Sequence, residues 1–418
     1  MKPTYRTTRL ACYAAYVTQA ITVNLPPLLF VIFRERFGVS YEELGRLVLV
    51  NFVTQITVDV LSGWFCDRLG MRRAAVLAHI CCTLGLVSLS VLPALFPASP
   101  YGALMAACVL YAMGAGFLEV VISPIIESLP GTGKSGSMSI LHSFYCWGQA
   151  ATVLLSTLFL LRFGQAHWRL LPLLWAILPF CNLFLFLRAP LMPPLPAAAT
   201  APLRELFSSR TLLLAFAVMV GAGASELAMS QWASMLAERG LGLAKVWGDV
   251  LGPCAFAVLM GSVRAAGPLI YRRFSLTGVL LCASVFCVGC YALTALSRAA
   301  SLSLLGCAMT GAAVAVMWPA TISLAAERFP NGGTRMFALL AVFGDVGCSL
   351  GPWLTGLVSD LAQGSSAAMA KAAAIGLGGE ELGLKAGLAA AGIFPAVMFL
   401  CLLLLRRKAG SGPSHDNP

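Results

Sequence analysis

Twelve apolar runs, each long enough to cross a lipid bilayer, set the strongest limit on how this chain can fold. A membrane-spanning helix needs about 20 mostly apolar residues, and Pro, Gly or charged residues separate runs of this length along the chain. Because the bilayer core has no water to bond the backbone, such runs must form helices. We therefore predict an all-α integral membrane protein with twelve transmembrane helices, near 10–33, 44–65, 74–95, 101–123, 138–161, 168–188, 211–236, 247–270, 276–297, 301–325, 336–359 and 386–405.

The composition agrees with a lipid bilayer as the solvent of this chain. Hydrophobic residues make up 59% of it and charged residues only 11%, whereas soluble domains are about 45–50% apolar and about 25% charged. The net charge of +11 would suggest nucleic acid in a soluble protein, but here the basic residues lie mostly at the ends of apolar runs. We therefore expect a bilayer as partner and no nucleic acid.

The lysines and arginines also indicate how the spans are oriented. With the N-terminus in the cytoplasm, 17 of the 28 lie in cytoplasmic segments, ten lie in outer loops, and Arg264 lies within helix 8. Because cytoplasmic loops are enriched in basic residues, we expect both termini to be cytoplasmic and the protein to lie in the plasma (inner) membrane. Gln19 and Asn24 make the first apolar segment too polar for a signal peptide, so we expect it to be retained.

A break in composition divides the chain into two sets of six spans. The segment 189–209, "APLMPPLPAAATAPLRELFSS", is rich in Pro and Ala and contains no run of membrane length. Short matches between the halves, "ESLPGTG" with "ERFPNGG" and "GWFCDRLG" with "GPLIYRRF", recur at offsets of 200 and 204 residues and indicate an internal duplication. We therefore predict an N-terminal six-helix bundle (1–188), a cytoplasmic linker (189–209) and a C-terminal six-helix bundle with a short tail (210–418).

The sharpest motif is "GWFCDRLGMRR", between helices 2 and 3, with fixed positions at Gly63, Asp67, Arg68, Gly70, Arg72 and Arg73. It resembles the cytoplasmic 2–3 loop signature of the major facilitator superfamily. The resemblance implies two pseudo-symmetric bundles that rock against each other around a central site. Asp67 can pair with arginine and with the positive end of a neighbouring helix, so we expect these residues to form a conformational clasp on the cytoplasmic face.

Three further stretches resemble the fucose/sugar–proton symporter branch of that superfamily. They are "GAGFLEVVISP" (114–124), "LHSFYCWG" (141–148), and "WPATISLAAERFP" (318–330) followed by "GDVGCSLGPWLTG" (344–356). The resemblance implies proton-coupled import of a small polar solute, with a sugar as the first candidate. One departure concerns helix 1, where Asn24 is followed by prolines and not by the acid that the branch carries. Another is the missing Gly-Pro pair of drug antiporters in helix 5, which argues against an efflux carrier.

Charged side chains inside membrane spans are rare and usually functional; here they are Asp59, Glu119, Glu226, Arg264 and Asp345. Burial in an apolar helix disfavours a charged carboxylate, so Glu119 can gain and lose a proton during a cycle. We predict that Glu119 couples protons and that Glu226 is a second coupling candidate. The alternative for either acid is a structural pair with Arg264. Arg264 and Asp345 are candidates for a buried pair, together with Asp59 as a third intramembrane charge, and the sequence leaves open which acid Arg264 meets.

The predicted substrate cavity takes its residues from helices 1, 5, 7 and 10. An aromatic ring can cover the apolar face of a sugar while a carboxylate accepts hydrogen bonds from its hydroxyl groups, and this combination favours Glu226, Trp232 and Trp318. The polar side chains predicted to line the same cavity are Gln19, Asn24 and Gln149. Helix 2 carries a polar stripe that must face protein or water, formed by Asn51, Gln55 and Asp59. His142, near the cytoplasmic end of helix 5, is interpreted as an interfacial residue.

Other classes of function find less support in the sequence. "SLPGTGKSG" (128–136) lacks the first glycine of a phosphate loop and follows a helix instead of a strand. The four histidines are far apart and show no ligand spacing, so we predict no metal site, no cofactor and no enzymatic activity. We expect a monomer that binds a small-molecule substrate and protons. The remaining alternatives are a major-facilitator efflux carrier and, from a different class, a non-transporting receptor or sensor.

Overall fold

The computed structural model describes residues 4–130, 134–192, 202–329, 332–374 and 376–409, and within these ranges all side chains except those of 62–68, 127, 134–139, 268, 333–334 and 407–409. The regular structure of this described part is entirely helical. Within the described ranges, eleven helices are long and apolar enough to cross a membrane, and a bent pair at the start of the chain, counted as one span, brings the number to twelve. The prediction of an all-α membrane protein with twelve spans is therefore confirmed.

Six of these helices come from the first half of the chain. They are α1 (Tyr5–Leu28, continued as Phe30–Phe37), α2 (Tyr41–Leu69), α3 (Met71–Leu95), α4 (Pro100–Ser128), α5 (Lys134–Phe163) and α6 (Leu170–Arg188). The bend of 45° in α1 follows Pro26 and Pro27, because proline has no N–H to donate and its ring clashes with the preceding turn. The sequence "NLPPLLF" thus interrupts the first span instead of ending it.

The second half of the chain supplies the other six. They are α7 (Arg210–Met235, with a π-helical turn at Leu236–Gly240), α8 (Lys245–Asp249, a π-helical turn at Val250–Cys254, then Ala255–Arg273), α9 (Leu276–Leu296), α10 (Ala300–Val314 and Met317–Arg328), α11 (Gly333–Gly364) and α12 (Gly379–Ala391 and Ile393–Ala409). Short helices lie outside the spans at Gln165–His167, Leu203–Ser208 and Ser366–Ala374. The division at 1–188, 189–209 and 210–418 stays a prediction, although Leu203–Ser208 falls inside the predicted linker.

The helices pack into two six-helix bundles that meet along two seams. In the first bundle α3 packs on α4 and α6, and α1 packs on α5; in the second, α11 packs on α7 and α12, and α9 packs on α10. Between the bundles α2 packs against α11, and α5 packs against α8. These seams leave a space between the bundles that side chains from both can enter.

Close helix contacts in the first bundle depend on the glycines that precede Glu119. A Cβ atom on Gly114 would lie 2.6 Å from the Ala78 carbonyl oxygen of α3, and one on Gly116 would lie 3.0 Å from the Val58 side chain of α2. Both positions are therefore filled by neighbouring helices. The glycines of "GAG" bring α4 against α2 and α3 and thereby fix the position of Glu119.

The motif between α2 and α3 lies partly outside the described side chains. Gly63, Asp67 and Arg68 belong to the segment 62–68, so their predicted role in a clasp stays a prediction. Gly70 has a φ of 76°, which favours glycine, at the turn that starts α3. Arg72 donates to the carbonyl oxygens of Phe186, Leu187 and Ala189, each at 2.8 Å, so this arginine binds the end of α6 within its own bundle.

Candidate functional site

A cavity of about 370 Å³ lies between the two bundles. Its walls come from α1, α2, α4 and α5 on one side and from α7, α8, α10 and α11 on the other. Ligand pockets in proteins usually measure about 300–1,000 Å³ and combine apolar walls with a few polar groups. The cavity therefore has the size and the position of a site for a small solute in a two-bundle carrier.

Glu119 borders this cavity from α4. The side-chain amide of Gln19 on α1 donates to its carboxylate at 3.2 Å. Two more carboxylates are close, since one oxygen atom each of Asp59, Glu119 and Asp345 lies within 4.8 Å of the others. Glu119 thus stands in a group of three acids contributed by α2, α4 and α11, at the boundary of the two bundles.

Arg264 meets Glu226, and this contact answers the question that the sequence left open. The guanidinium of Arg264 lies 3.1 Å from a carboxylate oxygen of Glu226 and also donates to the Ala315 carbonyl oxygen at 3.4 Å. Of the partners that the sequence left open, Glu226 is the one that Arg264 meets; the candidate pair of Arg264 with Asp345 does not form, because Asp345 lies in the group of three acids. Burying a charge without a partner is costly, and Glu226 on α7 is the acid that faces α8.

Some of the predicted cavity residues border the cavity and others do not. Gln19, Glu226 and Trp318 line it, whereas Asn24 and Gln149 do not. The Asn24 side-chain amide donates to the carbonyl oxygen of Ala20 at 2.8 Å, within its own helix. Gln149 is buried away from the cavity. The prediction that Asn24 and Gln149 line the cavity is therefore wrong. The rotation of α1 and α5 about their own axes decides which side chains face the cavity, and the residue type alone does not reveal it.

The prediction for Trp232 is also wrong. Its indole is fully buried, donates to the carbonyl oxygen of Pro352 at 3.0 Å and packs against the rings of Phe30 and Tyr41. At 3.6 residues per turn, a residue six positions after Glu226 lies on a different face of α7. Trp232 therefore contributes to the packing between bundles.

Sequence reasoning missed several aromatic groups that line the cavity. Tyr16, Tyr145 and Tyr271 border it. His142 lines the cavity with them and is therefore not the interfacial residue that the sequence predicts. The rings of His142 and Tyr16 are perpendicular, with their centroids 5.2 Å apart, and the Tyr16 hydroxyl forms a hydrogen bond with Ser123 at 3.0 Å. His142 and Tyr145 are three residues apart and therefore lie on one face of α5. This spacing is the sequence signal for an aromatic face of α5 that lines the cavity.

At the end of the molecule away from the termini, the two bundles are held together by a carboxylate at a helix N-terminus. Asp360 of α11 accepts hydrogen bonds from the backbone N–H groups of Tyr41 at 3.2 Å and Glu42 at 2.7 Å, the first residues of α2. The Glu380 carboxylate accepts from the Tyr41 hydroxyl at 3.1 Å and pairs with Arg34 at 3.4 Å. We call Asp360, Glu380 and their partners on α1 and α2 the latch.

A second connection at this end joins α5 and α1 to α8. Asp249 accepts from Thr157 of the first bundle at 2.6 Å and lies 3.3 Å from the Lys245 ammonium group. Lys245 donates to the carbonyl oxygen of Leu28 at 3.1 Å, beside the bend in α1. At the opposite end, no hydrogen bond or salt bridge joins the bundles among the residues that the structure describes. The cavity is therefore closed on the side away from the termini.

Comparison with known proteins agrees with this architecture. A D-xylose–proton symporter shares 16% identity with a TM-score of 0.72, over 96% of this chain and 95% of that one. A bacterial homologue of the human lysosomal transporter Spinster, inward-facing and unoccupied, shares 16% identity with a TM-score of 0.74, over 97% and 98%. The E. coli fucose:proton symporter shares 14% identity with a TM-score of 0.62, over 95% and 98%.

At these identities the solved structures show a common fold and no more. No curated protein sequence matches the chain. The family profile of the Major Facilitator Superfamily matches residues 11–352, which is most of the sequence. Together with the two bundles and the cavity between them, this match shows that the chain belongs to the major facilitator superfamily and is a multi-pass membrane transporter and not an enzyme.

Proposed function

We propose that this transporter imports a small polar solute, with a sugar as the first candidate, and that proton entry drives the import. The observation that carries the proposal is the position of Glu119, a carboxylate on the wall of a cavity at the boundary of two bundles. A group placed there can exchange a proton with the cavity while the bundles rock around it.

The cavity walls support a polyhydroxylated solute. Trp318 and Tyr145 offer rings to the apolar face of such a molecule, and Gln19 and the Glu226–Arg264 pair offer hydrogen-bonding groups. Sites of this kind combine aromatic walls with a few well-placed polar groups. The known structures with the same fold include symporters for D-xylose and fucose as well as a nucleoside transporter, and these solutes share several hydroxyl groups.

Glu119 is the preferred coupling acid, and Glu226 is second. A protonated carboxylic acid is much less costly to enclose in a closed carrier than a permanent charge is. The Glu226 carboxylate is neutralised by Arg264, so it can remain ionised throughout the cycle. Glu119 forms no salt bridge with any described residue and accepts a single amide hydrogen bond from Gln19, so a proton is its simplest counter-charge.

The orientation follows from the excess of basic residues near the termini. We place the protein in the plasma (inner) membrane with both termini and the linker in the cytoplasm. The latch then lies on the outer side, and the cavity faces the cytoplasm. The protein acts as a monomer without a nucleic-acid partner or a cofactor.

The decisive experiment is uptake into proteoliposomes of the full chain, across a panel of sugars, nucleosides and other polar metabolites. A pH gradient, acidic outside, should raise the accumulation of one solute class several-fold over equal pH on both sides. Solute export driven by the gradient would instead identify an efflux carrier. Binding without any flux, in either direction, would favour a receptor.

A further inference from the structure

Arg264 has a hydrogen-bonding capacity that its protein partners do not use up. A guanidinium group carries five N–H groups. Nε donates to the Ala315 carbonyl oxygen at 3.4 Å, Nη2 donates to Glu226 at 3.1 Å, and Nη1 donates to the Cys146 sulfur at 3.5 Å. With the described residues each nitrogen thus makes one hydrogen bond, so one N–H on Nη1 and one on Nη2 are left over. Because the side chain is 18% exposed and borders the cavity, a solute can reach them.

Two of these contacts hold the guanidinium in place. Pro319 follows Ala315 by four residues and has no N–H, so the Ala315 carbonyl lacks the donor that a regular helix supplies. Nε of Arg264 takes the place of that donor. Glu226 on α7 binds Nη2, and both acceptors belong to the second bundle. Arg264 is therefore oriented by its own bundle before a solute arrives.

The third contact is weak, and it connects the two bundles. A cysteine sulfur is a poor acceptor, and Cys146 lies on α5 of the first bundle, one helical turn after His142, which lines the cavity. An oxygen atom of a solute would accept from Nη1 better than this sulfur does. Its arrival leaves Glu226 and Ala315 bound to Arg264, so it leaves no buried charge without a partner.

The donors of Arg264 that face a solute suit a carboxylate better than a hydroxyl group. A guanidinium offers N–H groups in a planar fork that matches the two oxygen atoms of a carboxylate, and such bonds are roughly twice as strong as those between neutral groups. A hydroxyl group offers only one oxygen. Among the residues that the structure describes, Arg264 is the only arginine or lysine that lines the cavity, so a carboxylate can be bound in this way at one place only.

The charges of the cavity favour a solute with a single negative charge. Arg264 and Glu226 neutralise each other. A bound monoanion adds one negative charge, and the proton that Glu119 takes up in the proposed cycle removes one. Loading both therefore leaves the net charge of the cavity unchanged. A dianionic phosphate ester would add a second negative charge, which is costly at bilayer depth.

We propose that the transported solute is a small hydroxylated monocarboxylic acid, such as a sugar acid, and that Arg264 binds its carboxylate. The inference rests on the proposed function, since it names the class of solute that the same cavity takes. Nη1 and Nη2 donate to the carboxylate, and the rings of Trp318 and Tyr145 pack against the hydroxylated part of the solute. Arg264 thus determines specificity by selecting acids over neutral sugars.

Calorimetry on the purified full chain in detergent tests the proposal in the wild-type protein. The probes are D-glucuronate, D-galacturonate and D-gluconate, each compared with its neutral primary amide, which keeps the hydroxyl groups and the size. At least one acid should bind roughly tenfold more tightly than its amide, because hydrogen bonds between charged groups are the stronger ones. Equal affinities for acid and amide, no binding of any of the acids, or tighter binding of a hexose phosphate would overturn the proposal.

Two variants separate the effect of Arg264 from that of the rest of the cavity. Glu226→Gln will change both affinities, but with Arg264 retained the acid should still be preferred over its amide. The double variant Glu226→Gln with Arg264→Gln leaves no buried charge unpaired and should abolish the preference. The exposed control Arg204→Gln should keep it. A purely structural arginine would change Tm and not the ratio of the two affinities, so a preference that survives in the double variant contradicts the proposal.

The outcome is separable from that of the proposed function. If a pH gradient drives the uptake of a neutral sugar and no acid is preferred, the carboxylate site is wrong and proton-coupled import stands. If an acid binds through Arg264 but no pH gradient drives its uptake, the site stands and proton coupling fails.

Discussion

Glu119 combines the properties that a coupling residue needs, and its substitution separates coupling from structure. Glutamine keeps the shape and can still bond to Gln19, but it cannot release a proton. Glu119→Gln should therefore abolish uptake driven by a pH gradient while solute exchange at equal pH continues at a rate near that of the wild type. Uptake and counterflow in the same proteoliposomes measure both quantities.

The control for this prediction is thermal stability. If Glu119 is mainly structural, the same variant should show a lower yield, a lower Tm and a loss of exchange together. Proton-driven uptake at the wild-type rate in Glu119→Gln would remove this residue from the mechanism.

The pair of Arg264 and Glu226 should behave as a unit. The two side chains are 18% and 10% exposed, and removing one partner of a buried pair costs roughly 3–5 kcal/mol. Because this pair borders the cavity, Glu226→Gln should decrease the free energy of unfolding by an amount near the smaller end of that range, roughly 3 kcal/mol. The double variant Glu226→Gln with Arg264→Gln should recover part of the loss in a double-mutant cycle. Strictly additive losses would show that the pair carries no coupling energy.

At the scale of helices, the latch joins the start of α2 to the end of α11. Asp360 accepts two backbone N–H groups at the positive end of α2, where a carboxylate is favoured. Asp360→Asn removes the charge and should weaken the closed end by on the order of 2 kcal/mol. Spin labels on the ends of α2 and α11 should then report a larger population at long distances.

A matched control exists at the same helix end. Glu43 accepts from the backbone of Ser40 in its own bundle, so Glu43→Gln changes a nearby charge without touching the second bundle. It should leave the distance distribution unchanged. Equal broadening in both variants would show that the effect is local fraying of α2 and not opening of the latch.

At the scale of the whole molecule, the proposed orientation places both termini in the cytoplasm. Single cysteines introduced by Pro3→Cys and Gly412→Cys in a cysteine-free background should resist an impermeant thiol reagent in intact cells. The same positions should react after the membrane is permeabilised. Labelling of either site from outside would show that the proposed orientation is wrong. The cavity would then open to the outer side of the membrane.

The sequence by itself determined the class of protein, the number of spans and the family. The length of the apolar runs, the basic residues at their ends and the motif "GWFCDRLGMRR" are local properties of the sequence. They can be read without knowing how the helices pack against one another. The intramembrane charges could be identified for the same reason, because a charge in an apolar run is conspicuous without any knowledge of its neighbours.

Only the tertiary structure decided which of these groups meet. Rotation and tilt of each helix place Glu226 opposite Arg264 and bring Asp345 to Glu119, two residues that lie 226 positions apart in the chain. The same rotation turns Trp232 into the packing between the bundles and brings Tyr16 and Tyr145 to the cavity. These angles result from close packing at glycines and from contacts between bundles, so no single segment of sequence contains them.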